Sequence, residues 1–385
     1  MALGYGGTLL TPKIAEFLRL TRAETPFLVF DLDVMETNYR RLRELMPVAE
    51  VFYAVKANPA PEILERLVKL GSSFDAASVR EVEYCLAAGA SPERVSYGNT
   101  IKKEADIACA REQGVDLYAF DSLAELKKLA NSAKGVRVFC RIAVNDDGAH
   151  WPLSRKFGCS LRMARDLMLE ARERGLVPHG VSFHVGSQQC DVSQWEVAIG
   201  KTAMLFSDLA ERGLELKLVN LGGGFPVPYR RTVPSLEDVF GAVHSAVTRH
   251  FGNRLPELIL EPGRAVTADA GVIQSEVVLV AHKDYDSDER WVYLDIGKFG
   301  GLAETAGEAI QYKFRTKKDG GKTGPVVLAG PTCDGADVLY DKVGYRLPRA
   351  LAVGDKVEIL SAGSYTTTYA SVGFNGFEPL KAYYI

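Results

Sequence analysis

From Tyr53 to Val266 the sequence alternates short β-prone runs with longer charged, amphipathic segments, which restricts the chain to repeated βα units around a parallel sheet. The strand candidates are Val51–Asn58, Ser72–Ser78, Val95–Thr100, Leu117–Ser122, Arg137–Val144, Gly180–Ser187, Lys217–Gly223 and Leu258–Arg264. Between them Ala60–Leu70, Val79–Ala88, Ser122–Ala130, Leu161–Arg174 and Trp195–Arg212 carry the apolar spacing of covering helices. Eight strands with intervening helices over this length fit a (β/α)8 barrel better than an open doubly wound sheet, although strand count alone does not prove closure.

After Val266 the rhythm changes to β-rich runs separated by turns, Val272–His282, Arg290–Ile296, Gly324–Ala329 and Lys356–Ser361, which predicts an antiparallel β domain. Pro26–Leu32 precedes the barrel and is expected to join that domain. The expected division is an N-terminal segment over 1–33, a barrel over 34–266 and a C-terminal β domain over 267–385. Thr316–Thr323, rich in Lys and Gly, is expected to be the most mobile loop.

With 385 residues there is enough chain for a large core, and the formal charge of -3 offers no electrostatic footprint for nucleic acid or anionic lipid. Small-molecule chemistry is the better expectation. The six cysteines (Cys85, Cys109, Cys140, Cys159, Cys190 and Cys333) never fall in Cys-x-x-Cys spacing, so neither a zinc ribbon nor a disulfide framework is predicted. No metal is expected. Met1–Gly7 lacks the basic start of a secretory signal, and no apolar run is long enough to cross a bilayer, so the reading is a soluble, cytoplasmic protein.

Lys56 lies between apolar, β-prone residues in Tyr53-Ala-Val-Lys-Ala-Asn58. An ammonium there is costly unless something consumes its charge, and an aldehyde cofactor does so by forming an imine; the plainer reading is a lysine snorkelling from a strand end. Four more motifs supply parts that pyridoxal phosphate needs: Phe183-His-Val-Gly-Ser187, Leu221-Gly-Gly-Gly-Phe225, Glu261-Pro-Gly-Arg264 and Gly330-Pro-Thr-Cys-Asp334. Gly222, Gly223 and Gly224 let backbone N–H groups approach a phosphate, or else form a tight structural turn. Arg264 and Ser187 offer a bidentate charge and a hydroxyl for the same phosphate. Glu261 can keep a pyridine nitrogen protonated, a stronger electron sink for a carbanion left by loss of CO2; its alternative is an ion pair with Arg264. His184 suits stacking on a flat ring, with Gly186 giving room. Arg141 is the only charged residue within Val138–Val144, and Asp75 is a candidate partner for a cationic neighbour. Cys333 can give a proton to a carbanion and Asp334 can bind a cationic amine, unless the pair is a small buried thiol beside a turn aspartate. On the barrel reading Lys56, Asp75, Arg141, His184, Ser187, the glycines, Glu261 and Arg264 all fall at C-terminal strand ends, the rim where such barrels carry reactive groups.

The motif set, YAVKAN, SSFDAAS, YGNTIKK, WPLSRKFG, FHVGSQ, GGGFP, EPGR, GPTCD and FNGF in order, resembles the fold-type III pyridoxal-phosphate decarboxylases of basic amino acids, most closely bacterial ornithine decarboxylases and their lysine/ornithine relatives. The resemblance runs from about Thr25 to the C-terminus and implies an alanine-racemase-like barrel plus a β domain. It implies Lys56 as the lysine that forms the imine with the cofactor, His184 as the stacking ring and Glu261 as the pyridine partner. Asp75 and Arg141 match the polar support, and Ser187, Gly222, Gly223, Gly224, Arg264 and Tyr365 match the phosphate set. Cys333 matches the thiol that protonates the decarboxylated product and Asp334 a residue gripping the distal amine. In the family this Cys-Asp loop reaches the other subunit, which implies a homodimer with shared sites. Phe299 stands where many relatives carry tyrosine, and Glu308, by spacing from it, aligns with a second distal-amine aspartate; Phe374, in FNGF, joins these on the substrate side.

The expected activity is conversion of L-ornithine, with L-lysine as an alternative, to the diamine and CO2, as in polyamine synthesis. A racemase is disfavoured because such sites usually pair the ring nitrogen with arginine. A non-catalytic regulatory homologue is disfavoured by the joint presence of Lys56 and Cys333.

Overall fold

The computed structural model describes residues 10–145, 147–151 and 156–385, so the Met1–Gly7 reading and part of the WPLSRKFG motif lie outside the described residues. The described chain forms two compact units. One comprises residues 36–226 and 233–265; the other comprises the N-terminal segment to Met35, Val227–Thr232 and Val266–Ile385.

The first unit is a closed barrel of eight parallel strands: Ala49–Ala54, Ser73–Ala76, Val95–Tyr97, Leu117–Phe120, Arg137–Arg141, Val177–Ser182, Leu218–Asn220 and Glu257–Leu260. All eight coincide with the strand candidates, and the last pairs the first through Leu258 with Ala49, closing the sheet. Phe52, Leu117, Ala119, Phe139, Leu218 and Ile259 fill its interior. Because side chains alternate across a strand, these positions fix which neighbours point outward at the covering helices. The helix Pro61–Lys69 buries Ile63, Leu64 and Leu67, one stripe at helical spacing. Serines start several of the others: Ser78, Ser122 and Ser160 accept from the N–H three residues on, and Ser235 with Asp238 forms a reciprocal capping box.

The strands stop earlier than the β-prone runs suggest. The first ends at Ala54, and Val55–Ala57 is a 3-10 turn, so Lys56 sits on the turn beyond the strand. The sixth ends at Ser182, which takes Ser187 off the barrel into the short strand Ser187–Gln189, paired antiparallel with Ala149–Trp151. Apolar content continues past the ladder because these loop residues are themselves buried: Val55, Ala57, Phe183 and Val185 are all below 2% exposed.

The second unit is an eight-stranded, mostly antiparallel sheet. Gly271–Ala281, Arg290–Leu294, Thr323–Ala329 and Lys356–Leu360 realise the four predicted runs. Two pairs are parallel, contrary to a purely antiparallel domain: Arg290–Leu294 with Thr323–Ala329, and Phe27–Phe30 with Lys381–Tyr384. Phe27–Phe30 also pairs antiparallel with Gly271–Ala281. Lys313–Thr316, Val338–Pro348 and Lys381–Tyr384 are additional strands. Asp341, Lys342 and Gly344 interrupt the hydrophobic alternation of the second of these, which hides it in the sequence. Ile14, Phe27, Val29, Val272 and Leu360 form the core on this side, with Phe17 and Tyr383 packed against it. Among the described residues no helix is long and apolar enough to cross a membrane.

Candidate active site

The C-terminal rim of the barrel gathers the charged candidates. Lys56, on its 3-10 turn, directs Nζ to within 3.7 Å of Asp75 Oδ2; the lysine side chain is half exposed and the aspartate is 5% exposed. Asp75 lies in the second strand, and its Oδ1 is buried without a hydrogen-bond partner among the described residues. Gly98, just past the third strand, makes room for that oxygen: a Cβ there would come within 1.8 Å of it. Burial raises the Asp75 pKa, while Lys56 and Arg141 oppose the rise.

Arg141 ends the fifth strand, its guanidinium 4.9 Å from the Phe157 ring. Burial lowers its pKa, and Glu261, Asp121 and Asp75 hold the positive charge in place against that. His184 follows the sixth strand, with Nδ1 accepting the Gly186 N–H at 3.0 Å. Burial first, then Arg141 and Lys56, push its pKa well below the ordinary imidazole value, so it is neutral with its proton on Nε2. A neutral, flat imidazole is the form that packs against a ring without adding charge.

Glu261 follows the eighth strand. Burial and then Asp75 raise its pKa to about 7, against the opposing pull of a hydrogen bond from Asn220 and the charges of Lys56 and Arg141. Its Oε1 accepts from Asn220 Nδ2.

The glycine run leaves the seventh strand through backbone that other residues rarely adopt: φ is 65° at Gly222 and 95° at Gly224. A Cβ on Gly222 would meet Phe183 O at 2.3 Å, and one on Gly224 would meet Gly186 O at 2.3 Å. Gly222 N–H donates to Asn220 Oδ1, and the carbonyls of Gly222 and Gly224 accept from Glu261 N and Gln189 N. The amides of Gly223 and Gly224 donate to no group among the described residues. Beside this turn Arg264 Nη2 donates to Ser187 Oγ at 3.3 Å. Two available amides, a buried guanidinium and a hydroxyl are the donor set of an anion site.

These features fit pyridoxal phosphate. They supply a primary amine and a carboxylate at the rim, a neutral imidazole, and an anion cradle that side chains on its glycines would close. Asp75 Oδ1 adds a buried acceptor that has no donor among the described residues.

The remaining candidates lie in the sheet unit. Cys333 is an exposed free thiol whose backbone N–H donates to Asn375 Oδ1 at 2.9 Å, and next to Asn375 the Phe374 ring lies 4.7 Å from Phe299. Phe299, Phe374 and Thr332 line a cavity of about 500 Å3 within this unit. Asp334 is exposed and its Oδ1 accepts the Ala336 N–H at 2.8 Å, an Asx turn that fixes the loop. Tyr365 adopts a φ of 56°, a left-handed conformation unusual for a bulky residue.

Glu308, expected on the substrate side, has backbone partners within the sheet unit. Its carboxylate accepts the N–H groups of Asp341, Lys342 and Val343 at 2.8, 2.8 and 2.9 Å. Burial alone would raise its pKa, yet these amides together hold it below the ordinary value. Spacing from Phe299 aligns the residue but cannot reveal that its carboxylate accepts amides from within the strand Val338–Pro348.

Sequence reasoning passed over Asn220, two residues before the glycines, and Glu81, within the stretch that follows Asp75. Glu81 accepts the Ala77 N–H at 2.7 Å; burial raises its pKa, while that amide and the charge of Lys56 pull it down. Its place after Ser78, at the start of a capped helix, reads in sequence as an ordinary capping box.

Residues 32–268 match the family model described as "Pyridoxal-dependent decarboxylase, pyridoxal binding domain". The chain is 36% identical over 358 residues to a lysine/ornithine decarboxylase of Selenomonas ruminantium, covering 92% of this chain and 88% of that one. It is 31% identical over 388 residues to antizyme inhibitor 2 of Xenopus laevis, covering 97% and 84%. The crystal structure of lysine/ornithine decarboxylase from Vibrio vulnificus complexed with cadaverine superposes with a TM-score of 0.87 at 30% identity, covering 98% of this chain and all of that one (100%).

Proposed function

Since the chain belongs to the pyridoxal-dependent decarboxylases, with pyridoxal phosphate as cofactor and a basic amino acid as substrate class, we propose that it converts L-ornithine, and secondarily L-lysine, to the diamine and CO2. The reading places it in the cytoplasm, in polyamine synthesis, as a homodimer with shared sites. The observation that carries it is Glu261: a carboxylate, not a cation, lies among the charges of Lys56, Asp75 and Arg141, where it could serve a pyridine nitrogen.

Bound in this cradle, pyridoxal phosphate supplies the electron sink for the charge left at the α-carbon when CO2 departs. The chain's own groups do the rest. Lys56 Nζ would hold the cofactor through its primary amine, and its neighbour Asp75 balances the charge that Lys56 and Arg141 bring. Glu261 would keep a pyridine nitrogen protonated, and neutral His184 would pack against the ring. The Gly223 and Gly224 amides, Ser187 and Arg264 would hold the phosphate, and the family resemblance assigns Tyr365 to the same set. Cys333 delivers a proton to the α-carbon from its thiol, and Asp334 binds the distal ammonium. Phe299 and Phe374 form an apolar wall for the substrate's methylenes.

The test is direct. The purified protein with pyridoxal phosphate is incubated with ornithine, lysine, arginine and diaminopimelate, and CO2 and amine are measured. Ornithine is expected to give the highest kcat/KM; release of CO2 from none of the four would overturn the reading. The likeness to antizyme inhibitor 2 favours one second reading, a non-catalytic binding protein. A visible absorbance band on adding the cofactor, with turnover, excludes it.

A further inference from the structure

Asn220 is 1% exposed at the end of the seventh barrel strand, and both ends of its side-chain amide are committed. Nδ2 donates to Glu261 Oε1, and Oδ1 accepts the Gly222 N–H at 2.9 Å. The amide orientation is fixed by its partners, because an amide N–H must meet the acceptor and a carboxylate must meet the donor. The backbone closes the same circuit, since Glu261 N–H donates to Gly222 O at 2.8 Å. Room for a second arrangement is small: a Cβ on Gly223 would lie 2.5 Å from Glu261 O and 3.4 Å from His184 Nε2.

We infer that Asn220 is a positioning residue that clamps the Glu261 carboxylate to the glycine turn, so that the ring-nitrogen contact and the phosphate contact are set by one side chain. The inference rests on the proposed function, which gives Glu261 and the turn their roles. Only a side chain with a donor and an acceptor in one plane satisfies both partners: aspartate keeps the acceptor but turns a second carboxylate on Glu261, and leucine keeps the volume but satisfies neither. Glu261 already faces Asp75, Lys56 and Arg141, so Asn220 is the neutral donor in that group of charges.

Two variants separate the two halves of the clamp. In Asn220→Asp the turn keeps its acceptor, so the dissociation constant of pyridoxal phosphate, measured by absorbance titration of apo-protein, is expected within about 3-fold of wild type. Two facing carboxylates must then share a proton, so the low-pH limb of the kcat profile is expected to move up by about one unit or more. Adding Glu261→Gln should abolish that displacement. In Asn220→Leu both bonds are lost and the cofactor dissociation constant is expected to rise about 10-fold or more. A wild-type pH profile in Asn220→Asp, or wild-type cofactor affinity in folded Asn220→Leu, would overturn the inference; if the leucine variant does not fold, the aspartate profile decides alone. Cofactor titration needs no substrate, so wild type that binds cofactor but releases no CO2 defeats the proposed activity and leaves the clamp standing.

Discussion

Lys56 Nζ stands 3.7 Å from Asp75 Oδ2, joining a half-exposed ammonium to a carboxylate that burial would otherwise neutralise. The pair gives the amine a direction at the barrel rim. Lys56→Ala removes both the attachment amine and this partner of Asp75. Turnover is expected to fall by at least about 1000-fold and the visible band of the bound cofactor to disappear. Steady-state assay and absorbance spectra check it; a retained band with near wild-type rate refutes the assignment.

Glu261 has an ordinary pKa of 4.5 that burial, then Asp75, lifts to about 7 in the folded chain. The folded state therefore binds a proton that the unfolded chain has released, and the slope of stability with pH is negative in that window. Apo-protein is expected to be most stable with respect to this group below about 4.5 and to lose up to a few kcal/mol (~3) as pH rises to about 7. Thermal melts across this range should show a shallower fall in Glu261→Gln. Identical pH dependence in both proteins would contradict the buried acid.

Glu308 anchors three backbone amides at strand residues Asp341, Lys342 and Val343. Glu308→Ala is expected to destabilise the fold by about 1–3 kcal/mol, while the ornithine-to-lysine ratio of kcat/KM changes less than about 3-fold. Denaturation and a two-substrate assay test the two halves. A large ratio change without loss of stability would support the substrate role that its spacing from Phe299 suggested.

Asp334 uses one carboxylate oxygen to hold the Ala336 N–H, so Asp334→Asn keeps the turn and removes only the charge. If that charge holds the distal ammonium, kcat/KM for ornithine is expected to fall roughly 30-fold, because leaving the ammonium without its charge-assisted partner in the closed complex costs about 2 kcal/mol or more. Unchanged kcat/KM would move the distal contact elsewhere.

Lys56 and Cys333 are the two groups that a shared site would draw from different subunits. Mixing inactive Lys56→Ala with inactive Cys333→Ala is expected to restore about a quarter of wild-type activity per site on random exchange. Demonstrated exchange without recovery would place a complete site in each subunit.

All eight barrel strands were legible because a strand covered on both faces writes itself as a short apolar run, and the intervening helices as charged, amphipathic stretches. Where each strand stops was not legible, since Val55, Phe183 and Val185 are buried beyond the ladder and carry the same apolar signal. The charged rim residues stood out because Lys56, Asp75 and Arg141 interrupt apolar runs. Asn220 and Glu81 did not, because an asparagine before a turn and a glutamate after a capping serine are what ordinary local structure uses. The backbone partners of Glu308 were not legible, because they are amides more than thirty residues away, which no side-chain pattern encodes.

Phe27–Phe30 is flanked by Gly271–Ala281 on one edge and Lys381–Tyr384 on the other, with Phe27 opposite Gln274 and Lys381. During synthesis, consecutive barrel strands can join neighbours only a helix away. The strand at Phe27 must wait for partners made almost a whole chain later, through contacts of very high sequence separation. Barrel assembly should thus lead and sheet completion follow, leaving an apolar strand temporarily exposed on the ribosome, the moment when this protein is most open to aggregation and to capture by chaperones.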